Sequence, residues 1–305
     1  MADALVVFDG TALVYRAFHG GARWQARDGA EVGAVQSFAQ RLARWLGRAR
    51  SRHFAVVWDA GGESFRKRLD PAYKAHRKAP PEGLYEQIAR AQALTRSLGL
   101  LSLKLPGYEA DDLMATLAAR ARGEGLAVWL VSPDKDLYQL VDDTAPPVRV
   151  FNPLSQSVID EAKVVELLGV PARAAVDYFA LAGDPSDGVA GVRGVGPRAA
   201  GELVRHFGSV AGALARIDEV PGLALRGAAG LATRLAAGRE DAERARQLVT
   251  LCADAPLTGV GALREAAWWR GPGPEAEAVF DALGFDGPLR AMAAVGERRG
   301  EGGRR

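Results

Sequence analysis

An α/β fold with a mostly parallel sheet is predicted from three observations. Residues 4–8, 54–58 and 126–131 are apolar at nearly every position, the pattern of strands buried on both faces. Segments with helical spacing lie between these runs, and each run is followed closely by an aspartate. Strands alternating with helices give a parallel sheet with helices on its faces. Ligands are then expected in the crevice at the carboxyl ends of the strands.

The first strand ends in VVFDG, with Asp9 at its tip. A helix is predicted over residues 35–49, where Phe38, Leu42, Trp45 and Leu46 recur at helical spacing. The second strand ends in VVWDA at Asp59, and a second helix follows over residues 84–98. Pro106-Gly107 then introduces Glu109, Asp111 and Asp112, which open a third helix over residues 110–121. The third strand runs into LVSPDKD, with Asp134 and Asp136. From about Ala162 the chain reads as helical and rich in Ala, Leu and Arg, without a convincing strand. The change of character falls near residues 177–187. The expected division is therefore an α/β part over 1–183, a helical region over 184–296 and a disordered Gly/Arg/Glu tail over 297–305.

With 305 residues, 48% of them hydrophobic, the chain can bury the core of one large domain or two smaller ones. Its net charge of +2, from 39 basic and 37 acidic residues, points to no partner by itself, so the distribution of each sign matters more. Cys252, the single cysteine, excludes an internal disulfide and fits a reducing compartment. Its neighbours Val249, Leu251 and Ala253 suit packing better than nucleophilic chemistry. Asp3 and Asp9 are incompatible with a secretory signal, and no apolar run is long enough for a membrane span. A soluble, cytoplasmic monomer is expected.

One aspartate after a strand is an ordinary loop start. Three strands repeating the arrangement point to a site. Glu109 and Asp112 share a helix face with Asp111 beside them, which exceeds what the helix dipole requires. Asp184 and Asp187 in GDPSDG bring the set to nine carboxylates. If these converge, their repulsion raises their pKa values and calls for cations. Oxygen ligation without clustered His or Cys favours Mg²⁺ or Mn²⁺ over Zn²⁺. Two such ions about 4 Å apart suit in-line phosphoryl displacement.

Residues 61–83 carry Arg66, Lys67, Arg68, Lys74, Arg77 and Lys78 against Glu63, Asp70 and Glu82, with Phe65, Tyr73 and His76 interleaved. This composition suits either a grip on phosphates and unpaired bases or a solvated charged loop. Its place after Asp59 makes it a candidate gate. Further on, Gly191-Val-Arg-Gly-Val-Gly-Pro-Arg198 precedes a helical run, an arrangement that lets backbone amides approach a phosphate. It also matches a dinucleotide fingerprint but lacks the preceding strand that fingerprint needs.

Taken together, FDGTALVYRAFHG, VVWDAGGESFRKRLDPAYKAHRKAPP, PGYEADDLMATLA, VSPDKDLYQL and LAGDPSDGVAGVRGVG resemble the 5′ nucleases, in that family's order. The family comprises flap endonucleases and the N-terminal nuclease domain of bacterial DNA polymerase I. The resemblance implies a PIN-like α/β sheet followed by a helical region with a helix–hairpin–helix. It implies metal binding by Asp9, Asp59, Glu109, Asp111 and Asp134, with Asp136, Asp184 and Asp187 completing a second metal and Asp112 nearby. Lys74 and Arg77 match the base of a helical arch and take catalytic roles. DNA contacts are implied for Tyr15, Arg16, Arg66 and Tyr73, and for Gly191, Val192, Arg193, Gly194, Val195, Gly196 and Arg198 of the hairpin, with K⁺ bound there. The implied substrate is DNA with 5′ flaps, nicks or single-strand/duplex junctions. With no polymerase segment after Arg305, a stand-alone nuclease is expected.

Two departures stand out. Gly188 occupies a place where Asn is usual, and Val189-Ala190 one where Ile-Pro or Leu-Pro is usual. Of the rival readings, a haloacid-dehalogenase phosphatase fails because Val7 stands where its nucleophile is required. A catalytically silent branched-DNA-binding protein would have lost site carboxylates, and a PIN-like ribonuclease fits the hairpin and long helical region less well.

Overall fold

Six strands form the centre of the fold: β1 (Ala4–Asp9), β2 (His53–Trp58), β3 (Leu101–Lys104), β4 (Ala127–Val131), β5 (Val148–Asn152) and β6 (Ser157–Ile159). They come from a computed structural model that describes residues 3–301 other than Ala22 and Arg226. The sheet order is β3-β2-β1-β4-β5-β6, parallel except for the β5–β6 pair. In register, Val7 lies between Ala55 of β2 and Leu130 of β4.

The helices of the α/β part are α1 (Gly10–His19), α2 (Gly33–Arg48), α3 (Phe65–Leu69), α4 (Leu84–Ser97) and α5 (Ala110–Gly123). Beyond them come α6 (Glu161–Leu168), α7 (Ala175–Ala182), α8 (Pro197–Phe207), α9 (Val210–Ala215), α10 (Ala228–Ala237) and α11 (Arg239–Val249). The chain closes with α12 (Leu263–Ala266), α13 (Ala276–Leu283) and α14 (Gly287–Glu301).

Side chains alternate across each strand, which explains why β1 and β2 are apolar throughout. Leu5, Val7, Ala55 and Val57 enter a core with α5, while Val6, Phe8, Phe54 and Val56 enter another with α2 and α4. The predicted face of α2 is the buried one: Phe38, Leu42 and Leu46 recur every four residues and exclude solvent. A third core joins α7 to α11 through Phe179, Leu203, Val204, Leu235 and Leu248.

The expected mixed, mostly parallel sheet flanked by helices is present, and the three anticipated strands form it with β3, β5 and β6 added. Residues of the helical region pack back onto the α/β part. Trp269 donates its Nε1–H to the Leu98 carbonyl at 2.8 Å and its backbone N–H to the Arg52 carbonyl at 2.7 Å. Trp269, Phe280, Leu283 and Met292 are buried in the core beneath α2 and α4. Their apolar surface completes a layer that the first half of the chain leaves open. The tail expected over 297–305 is helical backbone as far as Glu301, and 302–305 lie outside the described residues.

Candidate active site

The crevice lies at the carboxyl ends of β1, β2 and β4. Asp9, buried at the tip of β1, caps α1 by accepting from the Ala12 N–H at 2.9 Å. Its second oxygen accepts from the Ser132 hydroxyl at 2.8 Å. Asp59 follows β2, where its backbone N–H donates to Thr11 Oγ1 at 2.8 Å and its carboxylate accepts from the Ala110 N–H at 2.9 Å. The strand-end aspartates are thus tied both to α1 and to the start of α5.

Beyond β4, Asp134 folds back on itself, its side chain accepting from the Asp136 N–H at 3.0 Å. Asp184 and Asp187 sit on the turn after α7, held by a bridge between Asp184 and Val189. Gly188 in this turn has φ 71°, a conformation favoured by Gly and after it Asn, so the departure from the family's Asn keeps the backbone shape.

These carboxylates act on one another. Burial first, then repulsion from Asp59 and Asp134, pushes the Asp9 carboxyl up to about 7 against the hydrogen bonds it accepts from Ala12 and Ser132. Asp111 is raised well above the ordinary range by burial and then by Asp134, Asp9 and Asp59. Burial likewise raises Asp136, with Asp134, Asp184 and Asp187 adding repulsion. Enclosure in the crevice raises Asp59, whose outer surface still meets solvent, and Glu109 repels it further. Through these pairs, carboxylates from β1, β2, α5, the β4 loop and the turn after α7 share one electrostatic region.

Cations are built into the same region. Lys74 Nζ lies 3.0 Å from Glu109 and 3.3 Å from Asp187. Although burial opposes its charge, Glu109 and Asp187 hold its pKa above the ordinary value. Its backbone has φ 55°, a left-handed conformation unusual for lysine, fixed by the Lys74 N–H donating to the Asp187 carbonyl at 2.8 Å. Arg77 donates to Asp187 at 2.6 Å. Lys135 lies 2.7 Å from both oxygens of Asp184. Burial would raise Asp184, but Lys135 and Ser186 outweigh it and bring its pKa below the ordinary value. Among the described residues no three His, Cys, Asp or Glu side chains stand close enough to enclose one ion. The carboxylates face one another while several lean on Lys74, Arg77, Lys135 and Ser132.

Asp112 requires a correction. It is fully buried, with Arg66 donating to its two oxygens at 2.8 Å each and the backbone N–H groups of Glu109 and Cys252 at 3.1 and 2.9 Å. Its acceptor capacity is taken up inside the protein, so it stands apart from the crevice. Arg66 was expected on DNA but is 1% exposed. Its remaining donors reach the Glu109 carboxylate at 3.3 Å and the carbonyls of Leu248 and Thr250, joining α3 and α5 to the end of α11. Tyr73, expected to meet unpaired bases, is also buried; its hydroxyl lies 2.8 Å from both Glu109 and Asp187.

The arch expected over 61–83 is one turn and a half of helix, α3, followed by turns; Lys67, Arg68, His76 and Lys78 are exposed there. Tyr15 and Arg16 lie on the exposed side of α1. In the hairpin, Val192 and Val195 are core residues of the helical region. Gly191 packs so tightly that a Cβ there would lie 2.3 Å from the Gly183 nitrogen. Arg193, Gly194, Gly196 and Arg198 are the solvent-facing members, and Gly196 caps α8 with open space where a Cβ would be. Sequence reasoning misses Ser132, Thr11 and Lys135. Lys135 carries a visible signal, since it stands between Asp134 and Asp136.

The structure is thus a mostly parallel sheet with carboxylates clustered at its strand ends, joined to a helical module with a glycine hairpin. The model of the 5′-3′ exonuclease N-terminal resolvase-like domain matches residues 4–169, and that of the 5′-3′ exonuclease C-terminal SAM fold matches residues 170–266. Among curated relatives, DNA polymerase I of Rhizobium leguminosarum is 36% identical over 263 residues, covering 84% of this chain and 25% of that protein. A 5′-3′ exonuclease of Aquifex aeolicus is 35% identical over 206 residues, covering 68% of this chain and 70% of that protein. The chain thus spans about a quarter of the length of the polymerase it matches. Among solved structures, bacteriophage T5 D15 flap endonuclease in a complex with DNA and metal ions superposes with a TM-score of 0.68 at 22% identity, covering 92% of this chain and 99% of that one. The chain belongs to the 5′-3′ exonuclease family.

Proposed function

We propose that this chain is a structure-specific 5′ nuclease that hydrolyses phosphodiesters of flapped or junction-containing DNA in replication or repair. The observation that carries the reading is the shared field of Asp9, Asp59, Asp111, Asp134 and Asp136 at the strand ends, in which burial and mutual repulsion raise Asp9, Asp111 and Asp136. Such a cluster is costly unless cations neutralise it. Its donors are all oxygen, which fits hard divalent ions. Asp9, Asp59, Glu109, Asp111, Asp134, Asp136, Asp184 and Asp187 would hold two ions of the Mg²⁺ or Mn²⁺ kind, with Asp112 outside the set because Arg66 occupies it. When bound, such ions activate a water and neutralise charge on the departing oxygen.

The chain's own cations supply the rest. Lys74 and Arg77, already beside Glu109 and Asp187, are placed to bind non-bridging oxygens of the reacting phosphate. The exposed face of the hairpin, from Arg193 to Arg198, is suited to a duplex backbone without reading its sequence. The T5 relative's complex with DNA and metal ions supports this reading.

The test is a comparison of matched 5′-flap DNA, hairpin RNA and p-nitrophenyl phosphate in Mg²⁺. Cleavage confined to the flap DNA supports the proposal. Cleavage of the RNA with the flap intact would make the chain a ribonuclease, and turnover of the small ester alone a phosphatase.

A further inference from the structure

On the α2 side of the sheet, a second concavity of about 300 Å³ opens beside the carboxylate crevice. That volume is at the lower end of small-molecule sites. Phe8 and Phe151 line its floor, Trp45 forms a wall, and Arg41, Arg44 and Arg48 form the rim. The Trp45 ring stands edge-on to Phe151 at 4.9 Å and to Phe8 at 6.0 Å, which fixes it while leaving it half-buried at the opening.

The rim is not a balanced set of ion pairs. Between Glu31 and Asp59 the chain has five arginines and no acidic residue. The three on the rim recur at intervals of three and four along α2, which aligns them on one side of the helix. Among the described residues Arg41 and Arg48 have no ion pair, and Arg44 donates only to the Gln40 carbonyl. A merely solvated helix face would carry both signs and would not flank an aromatic hollow.

We propose that this concavity is a second nucleotide site, taking a nucleobase against Trp45 and Phe151 and its phosphate on Arg41, Arg44 and Arg48. A bare anion would leave the aromatic floor unused, and a neutral apolar ligand would leave three guanidinium groups uncompensated. A flat π-system carrying a negative charge satisfies both, through stacking and charge-assisted hydrogen bonds. The position suits an unpaired nucleotide of a bound strand: Phe8 precedes Asp9, and Val131, also on the lining, precedes the Ser132 that bonds Asp9. A free nucleoside monophosphate presents the same chemistry. The inference does not depend on hydrolysis in the neighbouring crevice.

Binding is measured in EDTA, so that no divalent ion recruits phosphate to the carboxylates. The ligands are deoxyadenosine monophosphate, inorganic phosphate, a short single-stranded oligonucleotide and the same backbone with abasic residues. The proteins are the wild type, the Arg44→Glu/Arg48→Glu double variant at exposed positions, and Trp45→Leu checked for an unchanged fold by circular dichroism. A base-bearing ligand should bind at least about tenfold more tightly than its base-free counterpart, and both variants should lose that margin. Binding of the monophosphate identifies a free nucleotide as the occupant; a margin seen only with the oligonucleotide identifies a strand. Equal binding of base-bearing and base-free ligands, no binding of either, or a margin that survives Arg44→Glu/Arg48→Glu overturns the proposal.

Discussion

Asp111 and Asp112 are neighbours at the start of α5, yet their surroundings oppose them. Asp111 faces Asp134, Asp9 and Asp59, whereas Asp112 is clamped by the Arg66 guanidinium. Removing one partner from a buried pair leaves the other charge uncompensated, at a cost of about 3–5 kcal/mol. Asp112→Asn should therefore lower the melting temperature sharply, and any loss of cleavage should follow the loss of fold. An unchanged melting temperature with cleavage abolished would return Asp112 to the metal set. The sequence places both carboxylates near a site but cannot say which of two adjacent side chains, about 100° apart around the helix, turns inward. That choice depends on Arg66, 46 residues earlier, which the run of cations after Asp59 does not distinguish from its exposed neighbours.

At the scale of elements, the hairpin between Gly191 and α8 separates two uses of glycine. Gly191 has backbone on the side where a Cβ would go, so Gly191→Ala should disrupt the turn that carries Asp184 and Asp187. Gly196 has φ −85° and open space, so an Ala methyl meets no clash there; its poorer capping of α8 opposes its smaller unfolded-state entropy, and stability should change by no more than about 1 kcal/mol. Its methyl group would still stand between the α8 N-terminus and a phosphate. Gly196→Ala should accordingly weaken binding to nicked duplex while the protein stays folded with little change in thermal unfolding; equal affinity would free the hairpin from any part in DNA binding. The sequence marks this motif by its glycines, but not which of them serve packing. The strands it conceals have a simple cause. β3 and β6 are short edge strands, and β5, although as long as β4, leaves Arg149, Phe151 and Asn152 part-exposed, so their apolar runs are broken. β1, β2 and β4 lie at the centre, buried on both faces, and are legible as strands.

For the whole molecule, the topology gathers distant segments at the carboxyl ends of the central strands and leaves their charges crowded. Asp9 has its pKa raised from 3.8 to about 7, so the folded state binds a proton that the unfolded chain has released across that interval. Stability from this source is present below 3.8 and is lost as pH rises to about 7. The raised Asp111 and Asp136 act in the same direction. In EDTA the melting temperature should thus fall as pH is raised from about 4 to about 7, beneath whatever other groups contribute. Mg²⁺ should raise it most at the upper end of that range, because binding to the folded state stabilises by mass action and protons compete below it. A Mg²⁺ effect that is largest at acid pH would refute the crowding argument. The sequence supplies every one of these carboxylates, but their convergence depends on pairing β1 with both β2 and β4 and on the return of the turn after α7, which spacing along the chain does not encode.

On the proposed function, the crevice carboxylates hold the divalent ions needed to cut DNA. The most direct measurement is single-turnover cleavage of a 5′-labelled flap across a Mg²⁺ titration from EDTA upward, for the wild type and for Asp111→Asn, with flap binding of both measured in Ca²⁺. Cleavage should be absent in EDTA, recover with Mg²⁺ in the wild type, and fall by orders of magnitude in Asp111→Asn while binding persists or tightens as negative charge is removed. Full cleavage in EDTA, or near-normal cleavage by Asp111→Asn in Mg²⁺, would contradict it.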